Sequence, residues 1–161
     1  MDIRNVIEQR RSVKQYDPSR EISEENIREL FRLASLSPSA WNLQHWHFIV
    51  VKSKEQKERL RRAANNQAKV TEASFTVVVC GNLQADEDAD RIYDSFVRNS
   101  YITEEQKQRT LKGIASFYEK EQNRRDDAIR NASLAAQTLM LAATGMGYAS
   151  CPMIGFNPQA V

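Results

Sequence analysis

One stretch constrains the fold of this chain more than any other. Between Asp126 and Thr144 the sequence runs through Ala128-Ile129, Ala132, Ala135-Ala136, Leu139-Met140 and Ala142-Ala143, apolar around much of a helical circumference. A helix of that kind is buried on several sides, and its alanines let another backbone come close. The stretch predicts a long central helix, or one shared with a second copy of the chain. Gly145 and Gly147 supply its stop. At 161 residues, 41% hydrophobic and 27% charged, the chain can bury one sizeable core around such a helix. A single domain over residues 1–161 is the expectation.

The remaining elements follow from punctuation and period. Asp2 can cap a first helix with Ile3, Val6, Ile7 and Arg10 at helical spacing. Ser12 to Ser19 reads as an extended connection closed by Asp17-Pro18. A second helix starts at Ser23, with Ile27, Leu30, Phe31 and Ala34 on one face, and Ser37-Pro38-Ser39 ends it. His47 to Lys52 and Phe75 to Gly81 are compact apolar runs of strand length. Between them lie a charged helix, Lys54 to Ala64, and a shorter one around Ala68 to Ala73. Asp86 to Arg98 and Thr103 to Lys120 are amphipathic and strongly charged. The region 86–125 is expected to be a helical excursion or lid, with Tyr93, Phe96, Tyr101, Phe117 and Tyr118 as candidate substrate-facing aromatics.

Bulk charge argues against some functions. Lys+Arg 23 against Asp+Glu 21 leaves only +2, which suggests no non-specific grip on nucleic acid or an anionic membrane. The richest apolar run, Leu134 to Ala143, is too short to span a bilayer and is interrupted by Gln137 and Thr138. The N-terminus is charged at once and has no apolar signal region. Cys80 and Cys151 make no disulfide framework, so a cytoplasmic protein with free thiols is expected.

Four short segments carry polar chemistry. Arg10-Arg11-Ser12-Val13-Lys14 collects cations and a hydroxyl at the end of the first helix. Cations there complement the helix macrodipole, and a guanidinium fork beside a hydroxyl also suits a phosphate. In Pro38-Ser39-Ala40-Trp41-Asn42-Leu43-Gln44-His45-Trp46 the two tryptophans read as hydrophobic anchors. Ser39, Asn42 and Gln44 add hydrogen-bonding side chains that suit a planar, heteroatom-rich ligand. Asn65-Asn66-Gln67-Ala68-Lys69 reads as a solvated helix start, with Asn66 and Lys69 on one face. Cys151-Pro152-Met153-Ile154-Gly155-Phe156-Asn157-Pro158 is a loop with two prolines and a permissive glycine. His45 and His47 flank Trp46, but no Cys, Asp or Glu lies near in sequence to complete a metal set, so none is expected. Cys151 lacks a sequence-adjacent His or cation and is not an obvious nucleophile.

In this order the four segments resemble the FMN-dependent nitroreductase family across nearly the whole chain. The resemblance implies an α+β fold of three layers, α/β/α, with a mainly antiparallel or mixed central sheet flanked by helices and a long buried central helix. It places Arg10 and Ser12 at the FMN phosphate and ribityl chain, Arg11 among the cofactor-binding residues beside them, and Lys14, Asn66 and Lys69 at the pyrimidine edge. A cation there offsets the negative charge that reduction leaves on the ring. Pro152, Ile154 and Gly155 would lie over the flavin and offer a backbone N–H to N5. Pro38, Ser39 and Asn42 would reach the partner's flavin in a homodimer, with Ala40 counted among the cofactor-binding residues of the same loop. Ala40 stands where a second serine is common, His45 where proline is common, and Ile154 where some members carry a glutamate. The family continues several dozen residues beyond the equivalent of Val161, so a missing C-terminal portion is expected.

The implied activity is electron transfer from NADH or NADPH through flavin N5 to nitroaromatics, quinones or similar flat acceptors, with ping-pong kinetics. None of these side chains is an obvious acid, base or nucleophile, consistent with chemistry that belongs to the cofactor. The alternatives are another flavin reaction on the same scaffold (dehalogenation, flavin fragmentation, enone reduction) and a flavin-binding protein without turnover. A helical interaction module would leave the ordered recurrence of all four segments unexplained.

Overall fold

The computed structural model describes residues 2–161 and shows an α+β chain. Its elements run α1 (Ile3–Gln9), α2 (Glu24–Ala34), β1 (Trp46–Val51), α3 (Lys54–Ala63), α4 (Lys69–Glu72), β2 (Thr76–Gly81), α5 (Ala89–Arg98), α6 (Glu104–Tyr118) and α7 (Glu121–Gly145). β1 and β2 pair as a two-stranded sheet. The Asn82 N–H donates to the His45 carbonyl at 2.9 Å, so the end of β2 lies beside the start of β1 and the pair is antiparallel. Ser12 and Ser150 add an isolated parallel bridge, which gives the strand pairing its mixed character.

Local chemistry explains most boundaries. Ser23 and Ser53 accept from the backbone N–H groups of Asn26 and Gln56, each at 3.2 Å, and start α2 and α3. Thr103 and Gln106 form a reciprocal capping box at α6. Asp2 departs from expectation: its side chain makes no cap bond, and only its carbonyl accepts, from Val6 N–H at 3.1 Å. α7 ends in a Schellman motif. Gly147, at φ +82°, donates to the Thr144 carbonyl at 3.0 Å and Tyr148 to that of Ala143 at 2.8 Å. α7 starts at Glu121, five residues before the apolar pattern does, as Asp126 minus Glu121 gives. Its polar first turns are held by Gln122 to Asp126 at 2.6 Å and by an Arg124–Asp86 ion pair, neither of which leaves an apolar signature.

The chain divides into two compact units. The first comprises residues 2–34, 48–78 and 137–161. Its core holds Val6, Ile27, Leu30, Ala34, Val70 and Ala143, and Phe31 packs its ring 5.2 Å from that of Phe48 and 6.4 Å from that of Phe75. Lys57 donates to the carbonyls of Thr71 and Ala73 at 3.1 and 2.7 Å and so fixes the end of α4.

The second unit comprises residues 35–47 and 79–136. Leu43, Ala85, Ala89, Ile92, Tyr93, Ile114 and Tyr118 form its core cluster. Tyr93 and Tyr118, read from sequence as candidate substrate-facing aromatics, are core residues; Tyr101 and Phe117 are the exposed ones. Lys107 is buried and paired with Asp90 at 2.8 Å and with Asp94, which ties α6 to α5. The α7 residues in this unit bury Asp127, Ala128, Asn131, Ala132 and Ala135 but leave Ile129 52% and Leu134 42% exposed. Burial of that half of α7 is therefore one-sided. Gly81 lies against the same helix: a Cβ there would meet the Ala128 carbonyl oxygen at 3.0 Å.

Candidate functional site

Within the first unit, three segments far apart in sequence meet. Ser12 bridges Ser150, and the Val13 N–H donates to the Ser150 carbonyl at 3.1 Å, which sets the Arg10–Lys14 segment beside the loop that begins at Cys151. That loop is fastened in turn to the turn after α3. The Gly155 carbonyl accepts from Asn65 Nδ2 at 3.1 Å and Gln67 Nε2 at 2.8 Å, and the Asn157 N–H donates to the Ala63 carbonyl at 2.8 Å. Asn65 and Asn66 hold left-handed backbones, φ 53° and 56°, a conformation asparagine tolerates better than most residues. Arg61 braces them, donating Nε to the Asn66 carbonyl at 3.2 Å and accepting from its N–H at 3.0 Å.

Beside this junction lies a shallow cavity of about 380 Å³ lined by Lys14, Gln15, Gln67, Ala68, Lys69 and Glu72. Among the described residues, the side chains of Arg10, Ser12, Lys14 and Asn66 have no hydrogen-bond or ion-pair partner. Their neighbours are engaged. Arg11 donates to the Arg10 carbonyl at 2.9 Å, and Lys69 Nζ lies 3.5 Å from Cys151 Sγ. The fold therefore supplies the cation that the sequence around Cys151 lacks. Tyr16 is pushed up to about 12, first by burial and then by the neighbouring Cys151. Pro152 and Ile154 are exposed, Ile154 at 95%.

Pro38, Ser39, Ala40 and Asn42 belong to the second unit. Ala40–Asn42 forms a 3₁₀ turn in which Trp41 and Asn42 take φ 49° and 58°, with Gln44 at 51°. Such backbones persist only where surroundings over-determine them. Here Ser39 Oγ accepts from Gln44 N–H at 3.0 Å, Gln44 Nε2 donates to the Asn42 carbonyl at 3.0 Å, and the Ala40 N–H reaches Asn131 Oδ1 at 3.0 Å. Trp41 packs edge-on against Phe117 and Tyr118, at 5.0 and 5.6 Å between ring centroids. Gln44 and Ser39 are thus used within the loop, while Asn42 is exposed.

His45 is fully enclosed, 1% exposed, with Nε2 2.7 Å from the Tyr118 hydroxyl. That hydroxyl donates to Asp127 Oδ2 at 2.9 Å, so His45 Nε2 must carry the hydrogen it shares with Tyr118. Nδ1 is then a bare acceptor with no partner among the described residues. Burial lowers the His45 pKa, opposed by the Asp127 and Asp86 carboxylates, and keeps the ring neutral. The Tyr118 pKa is raised by burial first and then by its bond to Asp127. Sequence reading missed this network and also Asn65, Gln67 and the Lys69–Cys151 contact, since each joins residues that no local spacing connects.

The cavity is thus walled by the N-terminal segment and the start of α4, with the loop from Cys151 fastened beside them. Comparison with known proteins gives the class. The sequence model of the Nitroreductase family matches residues 7–161, and the chain belongs to that family. It is 46% identical to "Putative NAD(P)H nitroreductase YodC" of Bacillus subtilis over 96% of this chain and 77% of the relative. It is 30% identical to "CLA biosynthesis enone reductase" of Lactiplantibacillus plantarum over 91% of this chain and 70% of the relative. The crystal structure of "a putative nitroreductase in complex with FMN" from Exiguobacterium sibiricum superposes with a TM-score of 0.92 at 30% identity, covering all of this chain and 78% of that one. The nitroreductase-like fold expected from sequence is the fold observed. No helix among the described residues is long and apolar enough to cross a membrane.

Proposed function

We propose that this chain binds FMN and acts as an NAD(P)H-dependent oxidoreductase on nitroaromatics, quinones or similar flat acceptors. One observation carries the reading: of the side chains in segments 10–14 and 65–69 that the family resemblance directs at FMN, Arg10, Ser12, Lys14 and Asn66 have no partner among the described residues, while Arg11 and Lys69 make one contact each. The residues fit that group chemically. Arg10 and Ser12 offer charge-assisted and hydroxyl donors to a phosphate, and the Asn66 amide matches both donor and acceptor positions of a pyrimidine edge. Lys14 and Lys69 make the cavity wall positive, which favours developing negative charge at that edge. When bound, FMN supplies the hydride chemistry. The protein binds and orients it, and Pro152, Ile154 and Gly155 form an exposed cover.

The same reading gives Pro38, Ser39 and Asn42 to the partner's flavin in a homodimer, and counts Ala40 and Arg11 among the cofactor-binding residues. The exposed Ile129 and Leu134 of α7 support a dimer, because burial on association would remove that apolar surface from water. Residues 1–161 would act as one domain, with about 86–125 as a helical excursion or lid. Unpaired Cys80 and Cys151 suit the reducing cytoplasm. The reading expects NAD(P)H and the acceptor to use one site in turn. Initial rates measured against both substrates should give parallel double-reciprocal lines, whereas intersecting lines would rule out a shared site. The enone reductase relative makes an α,β-unsaturated ketone the second acceptor class to assay.

A further inference from the structure

Gly155 has a single carbonyl, and two side-chain amides converge on it: Asn65 Nδ2 at 3.1 Å and Gln67 Nε2 at 2.8 Å. Gln67 Nε2 also donates to the Ala64 carbonyl at 3.1 Å, so one amide group joins the turn to the loop. The turn is stiff, with Asn65 and Asn66 both left-handed and Asn66 held by Arg61 through both its backbone groups. The Asn157 N–H donates to the Ala63 carbonyl at 2.8 Å and closes the far side. Gly155 sits so near that a Cβ there would meet Gln67 Nε2 at 3.3 Å. The loop is otherwise exposed from Ile154 onward.

We propose that Asn65 and Gln67 are positioning residues that clamp the Gly155 carbonyl and thereby fix the Ile154–Gly155 backbone against the flavin. The proposal rests on the FMN reading above. A carbonyl held by two donors fixes the peptide plane on its C-terminal side, and its neighbours lose the freedom to rotate the preceding N–H away from a ligand. Both donors come from the segment that also carries Asn66 and Lys69. The clamp therefore couples the position of the cover to that of the pyrimidine-edge residues. Neither Asn65 nor Gln67 needs to touch the ligand for this.

The test compares the wild-type chain with Gln67→Met and with Asn65→Gly/Gln67→Met. Methionine keeps the length of Gln67 without a donor, and glycine accepts φ 53° without strain. Two measurements are made: amide hydrogen exchange of Asn157 in the FMN-free protein, and the dissociation constant for FMN. The double variant should exchange at Asn157 about tenfold faster and bind FMN about tenfold more weakly, as loss of the two hydrogen bonds to the Gly155 carbonyl implies. Gln67→Met alone, with Asn65 still in place, should fall between the two. Unchanged exchange, or unchanged FMN affinity in a wild type that binds FMN, overturns the clamp and leaves the flavin reading intact. A wild type that binds no FMN sinks both. Should the double variant not fold, the single variant decides by the same two readouts.

Discussion

Arg10→Ala should weaken FMN binding by about tenfold to a hundredfold, the range expected for losing a charge-assisted hydrogen bond worth about 1.5–3 kcal/mol. The Arg10 side chain has no hydrogen-bond or ion-pair partner among the described residues, so its truncation breaks no such contact in the folded chain. Chemical denaturation midpoints should accordingly move by no more than about 0.5 kcal/mol equivalent. That separation of affinity from stability is the signature of a residue reserved for a ligand. Arg10→Lys should recover part of the affinity, because an ammonium supplies the charge but not the planar fork. Arg11→Ala should matter less, since the Arg11 guanidinium already donates to the Arg10 carbonyl at 2.9 Å. Equal FMN affinity in Arg10→Ala and wild type would remove Arg10 from the phosphate site.

Tyr118→Phe should have the largest effect on stability. The hydroxyl joins His45 and Asp127, all three nearly inaccessible to solvent. Its loss strands the Nε2 hydrogen of a histidine whose Nδ1 is already unpaired, and removes one donor from a buried carboxylate. Buried groups left unsatisfied cost about 1–3 kcal/mol each, so about 2–4 kcal/mol is expected; Arg130 still pairs with Asp127 and limits the loss. Urea denaturation should show a lower midpoint at unchanged slope. A change below about 0.5 kcal/mol would mean the network does not hold the second unit together.

The same network makes stability depend on pH, and the sign follows from His45. Its folded pKa lies below the ordinary value of about 6.5, so the unfolded chain binds the extra proton as the medium is acidified. The contribution is complete above about pH 6.5 and is lost as pH falls from there toward the depressed folded value. His45→Gln, which keeps a donor near Tyr118 but cannot titrate, should flatten the slope of stability in that window. The carboxylates of Asp17, Glu24, Glu29 and Asp94, held low by Ser19, Lys52, Arg32 and Lys107, give up their contributions only at more acidic pH.

What could be read from sequence was whatever is local. Ser23 announced a helix start through its own side chain, and Gly147 announced the end of α7 because a left-handed backbone is needed there. The start of α7 was not legible, since the first turns from Glu121 rest on polar contacts such as Arg124 to Asp86. In the site, Arg10, Ser12, Lys14, Asn66 and Lys69 stood out only as an ordered set that resembles a family. The structure adds why they converge: the Ser12–Ser150 bridge and the Gly155 contacts join segments more than eighty residues apart. Those contacts leave no trace in spacing or periodicity. The same is true of Lys69 beside Cys151 and of His45 against Tyr118, which the sequence offered only as a loose cysteine and half of a His-x-His pair.

The central claim is that this chain holds a reducible flavin, and the visible absorption spectrum of the purified 161-residue protein tests it most directly, recorded before and after anaerobic addition of NADH and then NADPH. A protein that carries FMN, or takes it up on addition, and whose absorbance bleaches with reduced nicotinamide is the predicted result. A protein that stays colourless after incubation with FMN, or whose bound flavin neither nucleotide bleaches, would contradict it.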